Sequence, residues 1–418
     1  MINPPPQPEL GINFSVALLG ARLDYAVPRI LYHQGQLARL FTDFCGNKGL
    51  LKAAHGIPYL KHHPALARLR SRIVPDIPGD RIEHFPKFGL EYAQRLRRVT
   101  TISEKMQTYL WSSQTFCELI LKRGISSPGL YVYNSAGLEL LEWSRGQAGH
   151  ITVLEQTIAP KYLHMELFDE EWQRHPDWEP RELNCAASVA YAEREAAEWQ
   201  LADRILCGSE FVRQGMIDSG VPGDRIKVVP YGIDPRFRLP PREAHDGPLR
   251  VLTIGTVGLR KGSPYVLAAA KALKGLATFR LIGPIQASSS AQQALDHALE
   301  LVGPVPRQNI LEHYAWADVF LLPSICEGSA AVTYEALACS LPVITTPNTG
   351  SIVEDGMSGY ILPIRDVDGL VERIEFLARH PEERQRLALN AQRQSELGTW
   401  QSYQQRLLAA LTGISGAS

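Results

Sequence analysis

Cysteine is scarce and unpatterned: six in 418 residues, at Cys45, Cys117, Cys185, Cys207, Cys326 and Cys339, with no C-x-x-C pair. That spacing excludes a disulfide framework and the common zinc motifs, and leaves buried thiols in a reducing compartment as the expectation. No stretch reaches the roughly 20 uncharged apolar residues of a spanning helix. The opening Met1 to Gly11 is polar and proline-rich and lacks the basic flank and apolar core of a secretory signal. An excess of one charge is missing too: 43 basic against 44 acidic side chains give a net charge of -1. No global field therefore recruits nucleic acid, and any charged partner must meet a local patch. The 33 glycines and 29 prolines show no period, which excludes a fibrous repeat. The expected location is cytoplasmic.

What is present is a repeated alternation of short apolar runs with longer segments of helical period, the pattern of parallel α/β sheets. The predicted strands of the first half are Asn13 to Leu19, Arg97 to Ile102, Gly129 to Tyr133, His150 to Leu154 and Arg204 to Cys207. Those of the second half are Ile226 to Val229, Leu249 to Ile254, Ala277 to Ile282, Val319 to Leu322, Pro342 to Thr345 and Gly359 to Leu362. Between them fall predicted helices, among them Asn184 to Leu201, Ala291 to Leu301 and Val332 to Cys339. A Pro- and charge-rich stretch from Pro230 to Pro248 reads as a linker. The expected domains are 1–229, 230–399 and a C-terminal helix in 400–418 that packs back on the first. Both large halves read as doubly wound, Rossmann-like domains facing a cleft at the carboxyl ends of their strands.

The chemistry concentrates in Leu321 to Ala338, where a strand ends, small residues carry Glu327, and a helix opens with Ser329 as the expected cap. Small side chains admit a ligand to the amides of Ala330, Ala331 and Val332, a helix start that favours a diphosphate. Glu335, one turn in, is placed for ribose hydroxyls, and Glu327 for a sugar. Arg260 and Lys261 follow a strand and the glycines of Gly255 to Gly262, as fixed cations for a leaving phosphate. Asp366-Val367-Asp368 reads as the acidic start of a helix rather than a metal site, so no metal and no cofactor beyond the donor are expected.

Glu327 to Glu335, with the Glu335 to Ile344 run, resembles the E-x7-E signature of the retaining glycosyltransferases of family 4, which have the two-domain GT-B fold. Gly255 to Gly262, Tyr231-Gly232-Ile233-Asp234, Ala202-Asp203-Arg204-Ile205, Gly350 and Gly359 to Pro363 are similar to further motifs of that family in order. The resemblance covers about half the chain, nearly all of it beyond residue 200. It implies a metal-independent hexosyl transfer (EC 2.4 class) with retention, from a nucleotide diphosphate-sugar to a sugar, lipid-linked or small-molecule hydroxyl. It also implies donor contacts from Gly258, Arg260, Lys261, Glu327, Gly328, Ser329 and Glu335, with backbone near Gly283 and Val305 meeting the base. The alternatives are a nucleotide-sugar epimerase or hydrolase, or a nucleotide-sugar binding protein without catalysis.

The first half departs from the family. Leu19 to Pro28 offers only Gly20 where a glycine-rich loop is usual, and the strand end expected to carry histidine reads Glu155-Gln156. Gly20, Glu155 and Gln156 are thus the acceptor-side candidates. Ser340 stands where the family often has glycine, a left-handed position that costs a non-glycine residue about 1 kcal/mol. From Phe44 to Pro75, Lys48, Lys52, Lys61, Arg68, Arg70 and Arg72 occur without an acid. The segment suits an anionic membrane or a phosphorylated lipid as well as a solvated basic face. Trp172 to Trp178 is expected beside the first domain's cleft, as loop packing or as an acceptor contact.

Overall fold

The computed structural model describes residues 11–47, 72–180, 185–242 and 245–414. Two parallel sheets organise them. The first contains β1 (Phe14–Leu18), β2 (Leu37–Thr42), β3 (Ile82–His84), β4 (Gly129–Tyr133), β5 (Ile151–Gln156), β6 (Arg204–Cys207) and β7 (Ile226–Val228), in the order β3-β2-β1-β4-β5-β6-β7. The second contains β8 (Leu249–Ile254), β9 (Ala277–Ile282), β10 (Glu300–Gly303), β11 (Val319–Leu322), β12 (Val343–Thr345) and β13 (Gly359–Ile361), in the order β10-β9-β8-β11-β12-β13. Every neighbouring pair is parallel, with Phe14 opposite Gly129 and Val319 opposite Val251 where the order reverses. The expected doubly wound α/β architecture is present in both halves. Each has its topological switch point, β1/β4 and β8/β11, where such sheets bind ligands.

The central strands are apolar runs because helices cover both faces of each sheet. Phe14, Val16 and Leu18 of β1 point into one cluster with Tyr131 and Leu206, while Ala17 joins Leu130, Val132 and Leu154 on the other face. Phe320 and Leu322 of β11 similarly oppose Val319 and Leu321.

Several sequence expectations are corrected. Arg97 to Ile102 is no strand: Arg97 and Arg98 end the helix Pro86–Arg98, and Ile102 opens the helix Ile102–Arg123. Thr101 caps that second helix in a reciprocal capping box with Glu104. β2 and β3, unassigned in the sequence, extend the first sheet instead. The helix expected over Ala291 to Leu301 is Ser289–Ala298, and Glu300–Gly303 is the edge strand β10.

The linker is packed rather than loose. Tyr231, Ile233 and Phe237 are buried, and the Ile233 amide donates to the Gly398 carbonyl at 2.9 Å. The helix Trp400–Leu411 places Tyr403, Leu407, Leu408 and Leu411 in the same cluster as Phe14 and Val16 of the first domain. Arg365, from the second domain, reaches Glu170 at 2.6 Å and Glu171 at 2.5 Å on the helix Lys161–Arg174 of the first, and Tyr265 donates to Glu171 at 2.7 Å. Five of the six cysteines are buried and all six are free thiols. No described helix is long and apolar enough to cross a membrane.

Candidate active site

The turns after β8 and β11 bring the sequence-predicted cations and acids together. Leu259–Lys261 forms a single 3-10 turn, and Lys261, 8 % exposed, lies under the loop that follows β11. Its Nζ stands 2.8 Å from Glu327 Oε1, and Arg260 Nη1 donates to the same oxygen. Burial depresses the Lys261 ammonium pKa and Glu327 opposes the shift, while Arg260 adds to the depression. The result is two guanidinium and ammonium groups held at the mouth of the β8/β11 switch point by one carboxylate.

Glu335 sits inside the helix Ala331–Ala338, which is apolar nearly all round and buried. Tyr314 donates to Glu335 Oε2 at 2.8 Å, and Arg307 Nη2 lies 2.6 Å from Oε1. Burial raises the Glu335 pKa, against the pull of Arg307 and Tyr314. The chain ends this helix through Ser340 at φ 55°, the left-handed residue expected there, whose Oγ donates to the Leu239 carbonyl at 2.6 Å.

Other expected contacts resolve differently. Ser329 is not the cap: the N-cap is Ala330, and Ser329 Oγ is spent on the Tyr334 hydroxyl and the Gly350 carbonyl. The Ala330 amide donates to the Thr349 carbonyl, which leaves Ala331 and Val332 as the amides at the helix start without an intrahelical acceptor. Gly328 packs against the first domain; a Cβ there would fall 2.1 Å from the Thr157 carbonyl oxygen. The Gly258 amide donates to Ser263 Oγ, and Glu179 covers its α-carbon while accepting from the Leu259 amide. Gly283 donates to the Gly303 carbonyl after β9, and Val305 packs beside the cluster of Leu252 and Tyr314. Asp366 caps the helix Val367–Arg379 through the Gly369 amide, as its acidic start required.

On the first domain the candidates turn inward. Glu155 is buried, with Arg22 Nε 3.1 Å from Oε1 and the Tyr131 hydroxyl 2.6 Å from Oε2. Gln156 is wholly buried among Trp199, Glu195 and the Ile158 carbonyl. Neither presents its side chain to a ligand, because each satisfies a buried polar partner instead. The Gly20 amide donates to Asp43 at 3.1 Å, and the carboxylate of Asp43 is held by Arg72 at 3.0 Å. Lys48, Lys52, Lys61, Arg68 and Arg70 lie outside the described residues, as do His55, His62 and His63. Trp172 belongs to the helix Lys161–Arg174, and Trp178 packs on Val257, Leu267 and Leu295 of the second domain, so that tract is an interdomain contact.

Residues that the sequence did not single out complete the surroundings. Arg307 was hidden by its exposed loop, although it lies two residues beyond Val305. His164 is depressed to about 3 by burial and by the positive charges of Lys161, Arg260 and Lys105, which places a neutral imidazole in the field of the Arg260 site. No group of three or more potential metal ligands occurs among the described residues.

Residues 248–380 match the family described as glycosyl transferases group 1. The amylovoran biosynthesis glycosyltransferase AmsK of Erwinia amylovora is 31% identical over 172 residues, 37% of this chain and 42% of that protein. A D-inositol 3-phosphate glycosyltransferase of Geodermatophilus obscurus is 29% identical over 258 residues, 55% of this chain and 56% of that protein. The chain thus spans less than two thirds of the length of these relatives. Among solved structures, Anabaena HepE in complex with UDP superposes with a TM-score of 0.60 at 14% identity, covering 96% of this chain and 99% of that one. Sucrose-phosphate synthase from Thermosynechococcus elongatus gives 0.61 at 16%, covering 95% and 97%. The chain therefore has the GT-B fold, and its residues 248–380 are similar to the group 1 glycosyl transferases.

Proposed function

We propose that this protein transfers a glycosyl group from a nucleoside diphosphate-sugar to an acceptor hydroxyl, with retention of anomeric configuration. The observation that carries the reading is the convergence of Arg260, Lys261 and Glu327 at the β8/β11 switch point, one helix turn from Glu335. Departure of the nucleoside diphosphate leaves negative charge on phosphate as the anomeric carbon gains oxocarbenium character. Fixed cations in a water-poor site stabilise that charge without reorganising at the moment of reaction.

Glu327 lies against Arg260 and Lys261. A diphosphate takes over those cations, and the released carboxylate accepts from hydroxyls of the transferred sugar. The amides of Ala331 and Val332 serve the phosphates at the helix start. The Glu335 carboxylate accepts from ribose, with Arg307 and Tyr314 fixing it, while backbone near Gly283 and Val305 meets the base. The reading includes independence from added metal, tested by turnover in excess chelator. Relatives that act as glycosyltransferases and a neighbour bound to UDP support the donor class.

Thermal-shift screening against UDP-, GDP-, ADP- and dTDP-sugars tests the reading, because a ligand that binds only the folded state raises its melting point. Stabilisation by at least one of the four is expected, and none would contradict it. Transfer is then assayed with the donor selected, product NMR reporting the anomeric configuration. Donor consumption without any acceptor would instead mark a hydrolase or epimerase.

A further inference from the structure

The β1/β4 switch point of the first domain opens into a cleft of 340 Å³ that none of the expected acceptor residues describes. Leu18, Leu19 and Arg22 border it after β1, and Tyr133 to Ala136 after β4. Helices contribute Tyr92, Tyr109 with Ser112 and Ser113, and Tyr191. The cleft meets the donor motif directly: Thr157 lines it, and the Thr157 carbonyl is the atom against which Gly328 packs. A ligand seated there therefore shares Thr157 with Gly328 of the donor motif.

Three properties of the lining point to one ligand chemistry. The first is charge. Among the described residues Arg22 is the one ionic side chain at the cleft wall, and Glu155 neutralises it at 3.1 Å. The charges behind the wall are paired as well, Asp43 with Arg72 and Glu139 with Arg194. Glu195 and Glu198 are turned to Asn134 and the Gly137 amide. The second is ring surface. Tyr109 and Tyr191 stand with centroids 6.4 Å apart at 53°, and Tyr92 and Tyr133 add two more rings, each apolar on its face and polar at its hydroxyl.

The third is a pair of hydroxyls. Ser135 is 2 % exposed and lines the cleft, where its Oγ meets the Tyr191 hydroxyl. It is also held at φ 64°, a left-handed conformation that serine keeps only where its surroundings fix it. The Arg194 guanidinium on its carbonyl, at 3.0 Å, and Glu198 on its amide fix it there. Each of the two hydroxyls donates and accepts, so the pair keeps hydrogen-bonding capacity for what the cleft binds.

We infer that this cleft is the acceptor site and that it takes an uncharged sugar ring, whose hydroxyls bond Ser135, Asn134 and the Tyr191 hydroxyl and whose C–H face rests on the tyrosine rings. This inference rests on the glycosyl-transfer reading and narrows its acceptor class. Among the described residues, a phosphorylated acceptor would find no unpaired cation in the wall. Lys105, one turn before Tyr109, is outside the lining.

The test uses the full chain and two probe sets: neutral methyl hexosides, and the corresponding hexose phosphates with inositol phosphate. Calorimetry without donor reads the cleft alone, and transfer from the selected nucleotide-sugar reads turnover. Saturable binding of at least one neutral hexoside is expected, with its affinity and acceptor KM weakened about tenfold in Ser135→Ala and in Tyr191→Phe, the loss of one net hydrogen bond. Ser135→Gly, which removes the hydroxyl but relieves the strained backbone, must show the same KM defect with an undiminished melting point. Donor affinity is unchanged in all three. Preference for the phosphates, with binding lost in Lys105→Ala, overturns the inference, as does failure of every neutral hexoside to bind. If hexosides bind but no nucleotide-sugar does, the cleft assignment stands and the transfer reading fails.

Discussion

The two halves of this molecule offer the same geometric opening, a switch point between the first and fourth strands of a parallel sheet, and fill it with opposite chemistry. At β8/β11 the side chains are charged and close in sequence: Arg260 and Lys261 in one turn, Glu327 in the loop after β11 and Glu335 in the helix Ala331–Ala338. At β1/β4 they are hydroxyls and tyrosine rings drawn from separate strands and helices, with the ionic groups paired off. The difference teaches that the fold supplies a place for a ligand, and that the wall decides which one. A diphosphate with developing charge needs fixed cations. A neutral acceptor needs shape and hydrogen bonds, and unpaired charge there would only have to be desolvated.

The sharpest way to break the comparison is to disarm the charged half. Lys261→Ala and Glu327→Ala should each lower turnover by roughly 10²–10³-fold, the scale of losing one preorganised electrostatic group. Steady-state kinetics at saturating acceptor, beside an unchanged circular dichroism spectrum, reads this; wild-type turnover in both variants would remove the site assignment.

The contact between the halves comes next. Gly328→Ala sets a methyl group 2.1 Å from the Thr157 carbonyl oxygen, a backbone atom with no flexible end to swing away. The domains must shift, at a cost of about 1–3 kcal/mol. Both the denaturation midpoint and turnover should drop, whereas a drop in neither would mean the two halves do not touch there in solution.

Glu335→Gln keeps the shape and weakens the acceptor for ribose. Donor KM should rise about tenfold with little change in kcat, since the ribose is remote from the reacting bond. A kcat defect of equal size would assign Glu335 to the chemical step instead.

A pH dependence sharpens the acceptor half. Burial raises the Glu198 pKa from 4.5 to about 8, although the Gly137 amide, Arg194 and the Ser135 amide pull it down. Between these values the unfolded chain has released the proton that the folded protein keeps. The unfolded state then binds fewer protons, so stability is greatest below 4.5 and falls as pH rises toward 8, by up to about 1.4 kcal/mol per pH unit. Glu198→Gln should flatten that slope in thermal melts from pH 5 to 8. An identical slope in both proteins would show that Glu198 is ionised when folded.

The donor half was legible because its signals are local. β8, β9 and β11 are apolar runs bounded as expected, and the cations and acids lie within short motifs whose spacing survives folding. Even so, the position of Ser329 did not reveal that its hydroxyl bonds Tyr334 and Gly350 rather than capping the helix. In the first half, Arg39 interrupts the apolar run of β2 and β3 is three residues long, so neither stood out. Val99 to Ile102 is β-branched and suggested a strand, but Thr101 to Glu104 is a capping box, and that local signal announces the helix Ile102–Arg123. Glu155 and Gln156 were candidates by their place at a strand end. Their buried partners Tyr131, Trp199 and Glu195 are 24, 43 and 39 residues away, and such pairings carry no local mark. The tyrosine cleft was invisible for the same reason.

The most direct test of the division of labour is calorimetric titration of UDP-, GDP-, ADP- and dTDP-glucose into the wild type, Lys261→Ala and Ser135→Ala. At least one nucleotide-sugar should saturate the wild type and Ser135→Ala with equal affinity and fail to saturate Lys261→Ala. Equal affinity in all three proteins, or no saturable binding to the wild type, would contradict the account.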